Sequence, residues 1–256
     1  MIFTNLIQAN LRSKQFGKEI EYYQRLESTN EEAWELIANN EASHGMLVIT
    51  DHQFKGKGRS GNSWFMSPSK GLAMSLILKE HLSAKKAGLI PLAVGIAVAE
   101  TLKNRGQIPK LKWPNDILLN GKKVGGILCE SKLSGEKIQS VVVGVGLNIN
   151  ETEEDFPEAL GQTATSLFIE SNYTHQRELV AAIFTTLFES YWEKLQSSPR
   201  EIISEWTALC GHLDSSVSFH FQNELHTGIF KGIDESGQAR VIIDDTEHKF
   251  ASIILD

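Results

Sequence analysis

Apolar residues recur at two spacings along the chain, and these spacings separate predicted strands from predicted helices. Short apolar runs between turn residues predict buried strands, and they cover 45–54, 71–78 and 138–150. A longer apolar segment over 109–131 is interrupted by Asn120-Gly121, a residue pair that favours a tight hairpin turn. The middle of the chain therefore predicts a sheet that contains at least one hairpin.

Helical patterns cover four other segments. They predict helices over 28–42, 87–106 and 174–195, and a fourth that begins at Pro199. At the start of the first helix, Ser28 and Glu31 have the spacing of a capping box. Four apolar residues, each four positions from the next, predict the buried stripe of the longest helix: Leu179, Ile183, Leu187 and Tyr191.

The pattern changes near residue 211, where short strand-like runs alternate with polar turns. These runs read VSFHF, LHTGIFKGID, ARVIID and KFASIIL. Together they span about 45 residues, a size at which a domain usually needs support from a neighbour. We therefore expect two domains, a larger one over 1–210 and a small β domain over 211–256.

Composition and charge argue against several classes of function. The 256 residues carry a net charge of -7, which argues against a broad nucleic-acid surface but leaves room for a local cationic pocket. The N-terminus has no signal-peptide pattern, and the longest apolar stretch, 14 residues over 89–102, is too short for a membrane span. With only two distant cysteines, Cys129 and Cys210, we expect reduced thiols and a cytoplasmic protein without a membrane partner.

The stretch QFKGKGRSGNSW, residues 53–64, contains three glycines at the G-x-G-x-x-G spacing. A dinucleotide site needs a helix after the last glycine, but Pro68 and Gly71 follow it. A P-loop needs a closing G-K-[ST], and a kinase needs further motifs that are missing. Two interpretations remain: an anion-binding loop that uses Lys57 and Arg59, or an exposed hairpin tip.

Three other stretches carry chemistry at the ends of predicted elements. ESTN precedes a helix, KWPNDILLNGKKVGG spans the hairpin, and GVGLNIN ends a buried strand. Each has an ordinary structural explanation, as a helix cap, a solvated turn and a capped strand end. Each can also bind a ligand, because amides, hydroxyls and a lysine beside glycines reach closely held polar groups.

In chain order from residue 28 to 150, the motifs STN, Q-x-x-G-K-G-R-x-G-x-x-W, K-W-P-N-D, K-V-G-G-I-L and G-V-G-L-N resemble those of the biotin protein ligases. The resemblance implies an α+β fold with a mixed central sheet flanked by helices, akin to class II aminoacyl-tRNA synthetases, and a small C-terminal SH3-like β-barrel domain. It also implies an ATP-dependent ligase that makes biotinyl-5′-AMP and then forms an amide bond to a specific lysine of a biotin carboxyl carrier protein.

The same resemblance implies roles for individual residues. Biotin binding is implied for Ser28, Thr29, Asn30, Gln53, Gly56, Lys57, Gly58, Arg59, Lys123 and Gly126. ATP binding is implied for Lys57, Arg59, Trp64, Asn115, Lys123 and Asn148. Arg59 near the reacting phosphate, Lys123 at the carboxylate and α-phosphate, and Asp116 beside the acceptor lysine are the implied catalytic residues.

A reaction between two anions implies Mg²⁺ with ATP, although the sequence assigns no metal ligands. The expected partner is a carrier domain of acetyl-CoA carboxylase or a related carboxylase, and the expected assembly is a monomer or homodimer that binds no nucleic acid. Three alternatives stay open: a lipoate–protein ligase, a non-catalytic biotin- or nucleotide-binding regulator, and a dinucleotide oxidoreductase.

The sequence departs from the family pattern at three places. Lys57 stands where many members carry a second arginine, so the charge is kept but the bidentate geometry is lost. Ala251-Ser252 stand where an acidic step is more usual, which leaves a contact from the C-terminal domain to ATP open. Only 27 residues precede STN, so we expect a ligase without the N-terminal DNA-binding domain of the repressor-type members.

Overall fold

The strands form a large mixed sheet, a two-stranded hairpin and a small antiparallel sheet. The computed structural model describes residues 1–80, 82–222 and 224–255. The strands are β1 Ile20–Tyr23, β2 Leu47–Thr50, β3 Gly56–Lys57, β4 Ser63–Trp64, β5 Leu72–Leu78, β6 Leu82–Ser83, β7 Lys110–Lys112, β8 Asp116–Leu119, β9 Lys122–Ser134, β10 Lys137–Leu147, β11 Ser216–Phe221, β12 Glu224–Ile233, β13 Ala239–Ile243 and β14 Thr246–Phe250.

The large sheet has the order β1-β2-β5-β10-β9-β8-β7, and β6 pairs with β10. Strands β1 and β2 run parallel, while the other neighbours in this sheet pair antiparallel. This arrangement confirms the predicted mixed sheet. The turn between β8 and β9 lies at Asn120-Gly121, and both residues have positive φ, as a tight hairpin turn requires.

Helices cover both faces of the large sheet. They are α1 Thr4–Asn10, α2 Thr29–Ala38, α3 Ile90–Asn104, α4 Leu167–Ser171, α5 Arg177–Ser197 and α6 Pro199–Leu209. Alternate residues along the strands point to opposite faces. Val48, Ile77 and Val142 pack with α2 in a small core, whereas their neighbours pack with α3 and α5 in the main core.

Two details of the predicted helices are wrong. The first helix begins at Thr29 and ends at Ala38, and the side chain of Ser28 makes no capping hydrogen bond to any described residue. The buried stripe of α5 is shifted by one position from the predicted one, because the aromatic side chains of Phe184, Phe188 and Trp192 pack against one another in the core. The predicted stripe residues are only partly buried.

The apolar segment before β7 is longer than the sequence pattern indicated. Helical residues run through Ala84–Asn104, 21 residues that are long and apolar enough to cross a membrane. Most of this segment is buried inside the protein, where α3 packs against α5, α6 and β9. It is therefore a core helix by its contacts.

The C-terminal sheet has the order β11-β12-β13-β14 and is antiparallel throughout. The segment KFASIIL is not one strand as predicted, because β14 ends at Phe250. The chain then turns back, and Leu255 pairs with Phe219 of β11. The sheet thus closes towards a barrel. It abuts the larger unit, where the Trp113 Nε1–H donates to the Gly237 carbonyl at 3.1 Å.

Candidate functional site

Glycines leave part of the large sheet without side chains on the face that carries α2. Gly146 of β10 pairs with Gly126 of β9, and the indole of Trp64 lies over both. A Cβ added at Gly146 would lie 2.4 Å from Trp64 Cε2, and one at Gly144 would lie 2.2 Å from Asn30 Oδ1. Any larger residue at these positions would therefore displace the side chains that cover the sheet.

A buried polar wall stands at the start of α2, beside this floor. Gln53 Oε1 accepts a hydrogen bond from the Thr29 amide at 2.7 Å and another from the Thr29 hydroxyl at 3.2 Å. The Ser75 hydroxyl lies 2.8 Å from Thr29 Oγ1 and 2.7 Å from Asn30 Oδ1, and the Asn30 amide donates to Glu130 Oε2 at 2.7 Å. These hydrogen bonds fix the orientation of the wall before a ligand binds.

The glycine-rich stretch forms a hairpin made by β3 and β4. Ser60 and Gly61 between the strands have positive φ, and the Gly58 amide donates to the Asn62 carbonyl at 2.7 Å. Because the chain after Gly61 enters strand β4 and not a helix, the rejection of a dinucleotide motif is confirmed. The hairpin holds Trp64 against the sheet and brings two cations to one edge.

The two cations of the hairpin have different partners. Lys57 forms a salt bridge with Glu31, and this hydrogen bond raises the pKa of Lys57. Glu31 is thus engaged with the hairpin and not with a capping box. Arg59 is half-buried, and burial lowers the pKa of its guanidinium. Its Nη2 donates to the hydroxyl of Ser252 at 3.1 Å.

A second set of polar side chains, from β8 and β9, lies across the site. Lys123 Nζ lies 2.6 Å from Asp116 Oδ1 and 6.0 Å from the centre of the Trp64 ring. The Asn115 amide donates to the Ile127 carbonyl at 2.8 Å. Asn115 and Asp116 come directly after the Trp113-Pro114 bond. The motif K-W-P-N-D therefore places an amide and a carboxylate next to each other at the start of β8.

These groups line one recess, which we call the polar cavity. Its lining includes twelve of the residues that the sequence singled out: Ser28, Thr29, Asn30, Gln53, Lys57, Gly58, Arg59, Trp64, Asn115, Asp116, Lys123 and Gly126. Gly56 lies outside the lining. A Cβ there would lie 2.6 Å from both Gln53 Nε2 and the Trp64 carbonyl oxygen, so Gly56 lets the hairpin pack closely against the wall.

A second recess of about 530 Å³, which we call the aromatic cavity, adjoins the first and shares Trp64, Asp116 and Lys123 with it. Phe65, Phe156 and His212 add to its lining. Its volume falls in the range of small-molecule sites. Asn148 borders this cavity, and its side-chain amide donates to the Thr165 carbonyl at 2.9 Å.

Sequence reasoning missed several residues of the site. Ser75 is the one polar residue in the run LAMSLIL, and that exception could have marked it. Ile254 and Leu255 bring the C-terminal segment to the polar cavity, and nothing in the local sequence marked their position. The sequence singled out Ser252 as a departure from the family pattern but did not predict its contact with Arg59. Within the described ranges, no three His, Cys, Asp or Glu side chains form a cluster that could hold a metal ion.

A mixed sheet with this hairpin, polar wall and lysine–aspartate pair defines a class of protein. Residues 22–148 match the model of the biotin/lipoate A/B protein ligase family. The chain is 32% identical over 235 residues to the bifunctional ligase/repressor BirA of Bacillus subtilis, covering 90% of this chain and 71% of the relative. It is also 32% identical over 218 residues to the biotin--[acetyl-CoA-carboxylase] ligase of Paracoccus denitrificans, covering 83% and 90%. The chain belongs to the biotin/lipoate A/B protein ligase family.

A solved structure agrees with this assignment. The biotin protein ligase from Aquifex aeolicus in complex with biotin and ATP has a TM-score of 0.79 at 27% sequence identity. The match covers 93% of this chain and 99% of that one, so it includes the small C-terminal sheet as well as the large mixed sheet. The predicted fold, with its SH3-like C-terminal domain, is confirmed.

Proposed function

We propose that this protein is a biotin–protein ligase, which activates biotin with ATP to biotinyl-5′-AMP and transfers the biotinyl group to a lysine of a biotin carboxyl carrier protein. One observation carries the proposal: the polar wall, Arg59 and the Lys123–Asp116 pair line one cavity together with Trp64. A polar ring fits the wall, and an anionic reacting centre fits the cations.

The biotin end of the site is the polar wall. Ser28, Thr29, Asn30 and Gln53 offer hydroxyl and amide groups at a buried surface, which suits the donors and acceptors of a ureido ring. Gly126 lets the Trp64 indole pack flat against the sheet beside the ligand, and Gly56 and Gly58 let the hairpin approach the ligand. Trp64 covers the apolar part of the ligand.

The first step joins two anions. An oxygen of the biotin carboxylate attacks the α-phosphorus of ATP, the bond to the bridging oxygen breaks, and pyrophosphate leaves. Arg59, Lys57 and Lys123 supply positive charge along the cavity edge, and such charge stabilises the transition state when it is fixed in place beforehand. Arg59 and Lys123 carry this step in our proposal.

The nucleotide fits the aromatic cavity. Trp64 and Lys123 border both cavities, so a molecule that lies across them places its reacting phosphate beside Lys123. Aromatic side chains at this cavity suit a purine ring. Asn148, whose carboxamide nitrogen binds Thr165, has its carbonyl oxygen to offer to an adenine amino group, and Asn115 lies on the phosphate side.

The residues of the site suit a Mg²⁺ ion that is bound together with ATP. Mg²⁺ usually keeps several waters and takes one or two carboxylates plus substrate phosphates, and Asp116 supplies a carboxylate at the junction of the two cavities. When bound, the ion would neutralise phosphate charge. The chain itself supplies the fixed cations and the walls that exclude water.

The second step needs an uncharged amine. A lysine of the carrier has an ordinary pKa near ~10.4 and is mostly protonated at neutral pH. Asp116 is our candidate to orient this amine and take up its proton as the nitrogen attacks the acyl carbon and AMP leaves. Its carboxylate is already held at the site by Lys123.

Two alternatives remain as second candidates. A lipoate–protein ligase would share the adenylation chemistry, but the dithiolane ring and aliphatic chain of lipoate offer none of the N–H donors and carbonyl acceptors that a buried polar wall recognises. A non-catalytic biotin- or nucleotide-binding regulator would need no Asp116 at the junction of the cavities.

Three further proposals concern context. We propose a carrier domain of a biotin-dependent carboxylase as the partner, and residues 1–210 as the catalytic unit with 211–256 as the β domain.

Both cysteines, each within the described ranges, are free, and burial raises the pKa of Cys129 to about 12 and that of Cys210 to about 11. Protonated, unpaired thiols suit a reducing compartment, so we propose that the protein acts in the cytoplasm.

The test uses intact mass spectrometry of two carrier domains, one from a biotin-dependent carboxylase and one from a lipoate-dependent complex. Each carrier is incubated with the full chain, ATP, Mg²⁺ and either biotin or lipoate. We expect a mass increase of one biotinyl group on the first carrier only. A lipoyl adduct would establish the rival ligase, and no adduct on either carrier would favour a non-catalytic regulator.

A further inference from the structure

The segment after β14 brings a polar side chain of the C-terminal domain to the candidate catalytic site. The Ser252 hydroxyl accepts from Arg59 Nη2 at 3.1 Å, a contact between residues 193 positions apart in the chain. Ile254 and Leu255 line the same polar cavity. The wall of the cavity on this side therefore belongs to the C-terminal domain.

Packing inside the small domain fixes how this segment lies. Phe250, Ile253 and Leu255 are buried, and Leu255 also pairs with Phe219 of β11. With these three residues anchored in the domain, the residues between them face outward, and Ile254 is 53% exposed. Ser252 is thus presented from a packed segment.

The chemistry of the contact leaves Arg59 available to an anion. The Ser252 hydroxyl accepts one N–H of Arg59, and a guanidinium has five donors, so other donors of Arg59 remain to meet a ligand. The nearby Cys129 thiol is protonated, because burial raises its pKa to about 12. Asp116 is the carboxylate whose charge acts on Arg59, and it is paired with Lys123.

We propose that Ser252 is a positioning residue: the C-terminal domain uses its neutral hydroxyl to hold Arg59 over the polar cavity without neutralising the charge. The identity of the anion that Arg59 then meets rests on the proposed function. The positioning itself does not, and it can be measured without any ligand.

Limited trypsin digestion reads the position of Arg59 directly. We expect Ser252→Ala to speed cleavage after Arg59 about fivefold, the effect of losing one solvent-exposed hydrogen bond, while cleavage after the exposed Lys55 stays unchanged as an internal reference. Ser252→Thr, which keeps the hydroxyl, should restore protection. An unchanged rate at Arg59 in Ser252→Ala overturns the proposal. An equal rise in the matched control Ser215→Ala, an exposed hydroxyl elsewhere in the same domain, also overturns it, because the change would then be general loosening.

The second measurement is of activity, and it uses ATP–pyrophosphate exchange in the presence of biotin. Ser252→Ala should raise the KM for ATP about fivefold with the melting temperature kept, and should add nothing on an Arg59→Ala background. Full additivity of the Ser252 and Arg59 effects would overturn the proposal. Exchange absent from the wild type, with the trypsin result intact, would instead count against the proposed function.

Discussion

Lys123 Nζ lies 2.6 Å from Asp116 Oδ1, at the junction of the polar and aromatic cavities. The register of β8 and β9 produces this pair, since an irregularity between Ile117 and Leu118 brings Lys123 opposite Leu118. In the proposed mechanism, this cation and this anion serve different steps of one reaction, and in the structure they form an ion pair. Replacing Lys123 and Asp116 one at a time therefore measures the contribution of the cation and that of the carboxylate separately.

Lys123→Ala removes the cation that we propose acts at the reacting phosphate. We expect ATP–pyrophosphate exchange with biotin to fall at least about 100-fold, as for loss of a fixed group that stabilises transition-state charge. Lys122→Ala, one residue away on the same strand, is the matched control and should retain exchange within about twofold, in the range of a surface change. Near-normal exchange in Lys123→Ala would remove this residue from the first step.

Asp116→Asn keeps the shape of the side chain but removes the carboxylate. We expect transfer from preformed biotinyl-5′-AMP to the carrier to slow by about 100-fold, the usual contribution of a general base, while pyrophosphate exchange changes less than about tenfold. Single-turnover transfer measured by quenched flow separates the two steps. Equal losses in both steps would mean that Asp116 acts by holding Lys123 or the Mg²⁺ of ATP, and not as the base.

Gly146→Ala places a methyl group 2.4 Å from Trp64 Cε2, so the indole must move. We expect biotin affinity to fall at least about tenfold by calorimetry and stability to fall by ~1–3 kcal/mol, the cost of overpacking. The control is Gly161→Ala, where the nearest atom lies 3.6 Å from the added carbon. Unchanged biotin binding in Gly146→Ala would show that Trp64 is not the cover of the site.

Glu151→Gln tests a buried carboxyl near the end of β10. Glu151 is fully buried, Oε2 accepts from the Ile149 amide at 2.8 Å, and Oε1 has no hydrogen-bond partner among the described residues. Burial raises its pKa from 4.5 to about 7. Because the folded state holds this proton more tightly than the unfolded state, the stability from Glu151 is complete below pH ~4.5 and is lost as pH rises through about 7.

We therefore expect the free energy of unfolding of Glu151→Gln, relative to the wild type, to rise by roughly 2–3 kcal/mol between about pH 5 and pH 8. Urea unfolding at several pH values measures it. The comparison with the wild type cancels the histidines, such as His212, whose pKa burial lowers to about 4. Glu154→Gln, an exposed neighbour, should give a flat difference. A flat difference for Glu151→Gln would mean that its pKa is ordinary.

Local patterns predicted the longer strands and most helices, but not β1, α1 or α4, because the signals that they read lie within a few residues. The hairpin at Asn120-Gly121 is an example, since its turn needs only those two residues to adopt positive φ. The site motifs also came together as expected, because glycines and polar residues at strand ends are visible in sequence. Helix α2 shows the limit: Gln53, 24 positions away, accepts the Thr29 amide and replaces the expected local cap.

Contacts between distant segments were beyond reach of the sequence. The run FASIIL singled out Ser252 and left open a contact from its domain to ATP, but it did not indicate that Ser252 would meet Arg59, because their contact depends on how the small sheet closes and abuts the large one. The buried stripe of α5 failed for a related reason. Periodicity allowed either stripe, and the large volumes of Phe184, Phe188 and Trp192 decided which one faces the core.

A pulse-chase experiment tests the central claim most directly, with the acyl-adenylate as the observed species. The full chain is incubated with biotin, ATP and Mg²⁺, freed of excess substrate, and mixed with a biotin carboxyl carrier domain while both species are followed by mass spectrometry. We predict that biotinyl-5′-AMP stays bound until the carrier arrives, and then disappears as the carrier gains one biotinyl group on a single lysine. A carrier that stays unmodified while the adenylate persists, or the absence of any adenylate, would contradict the account.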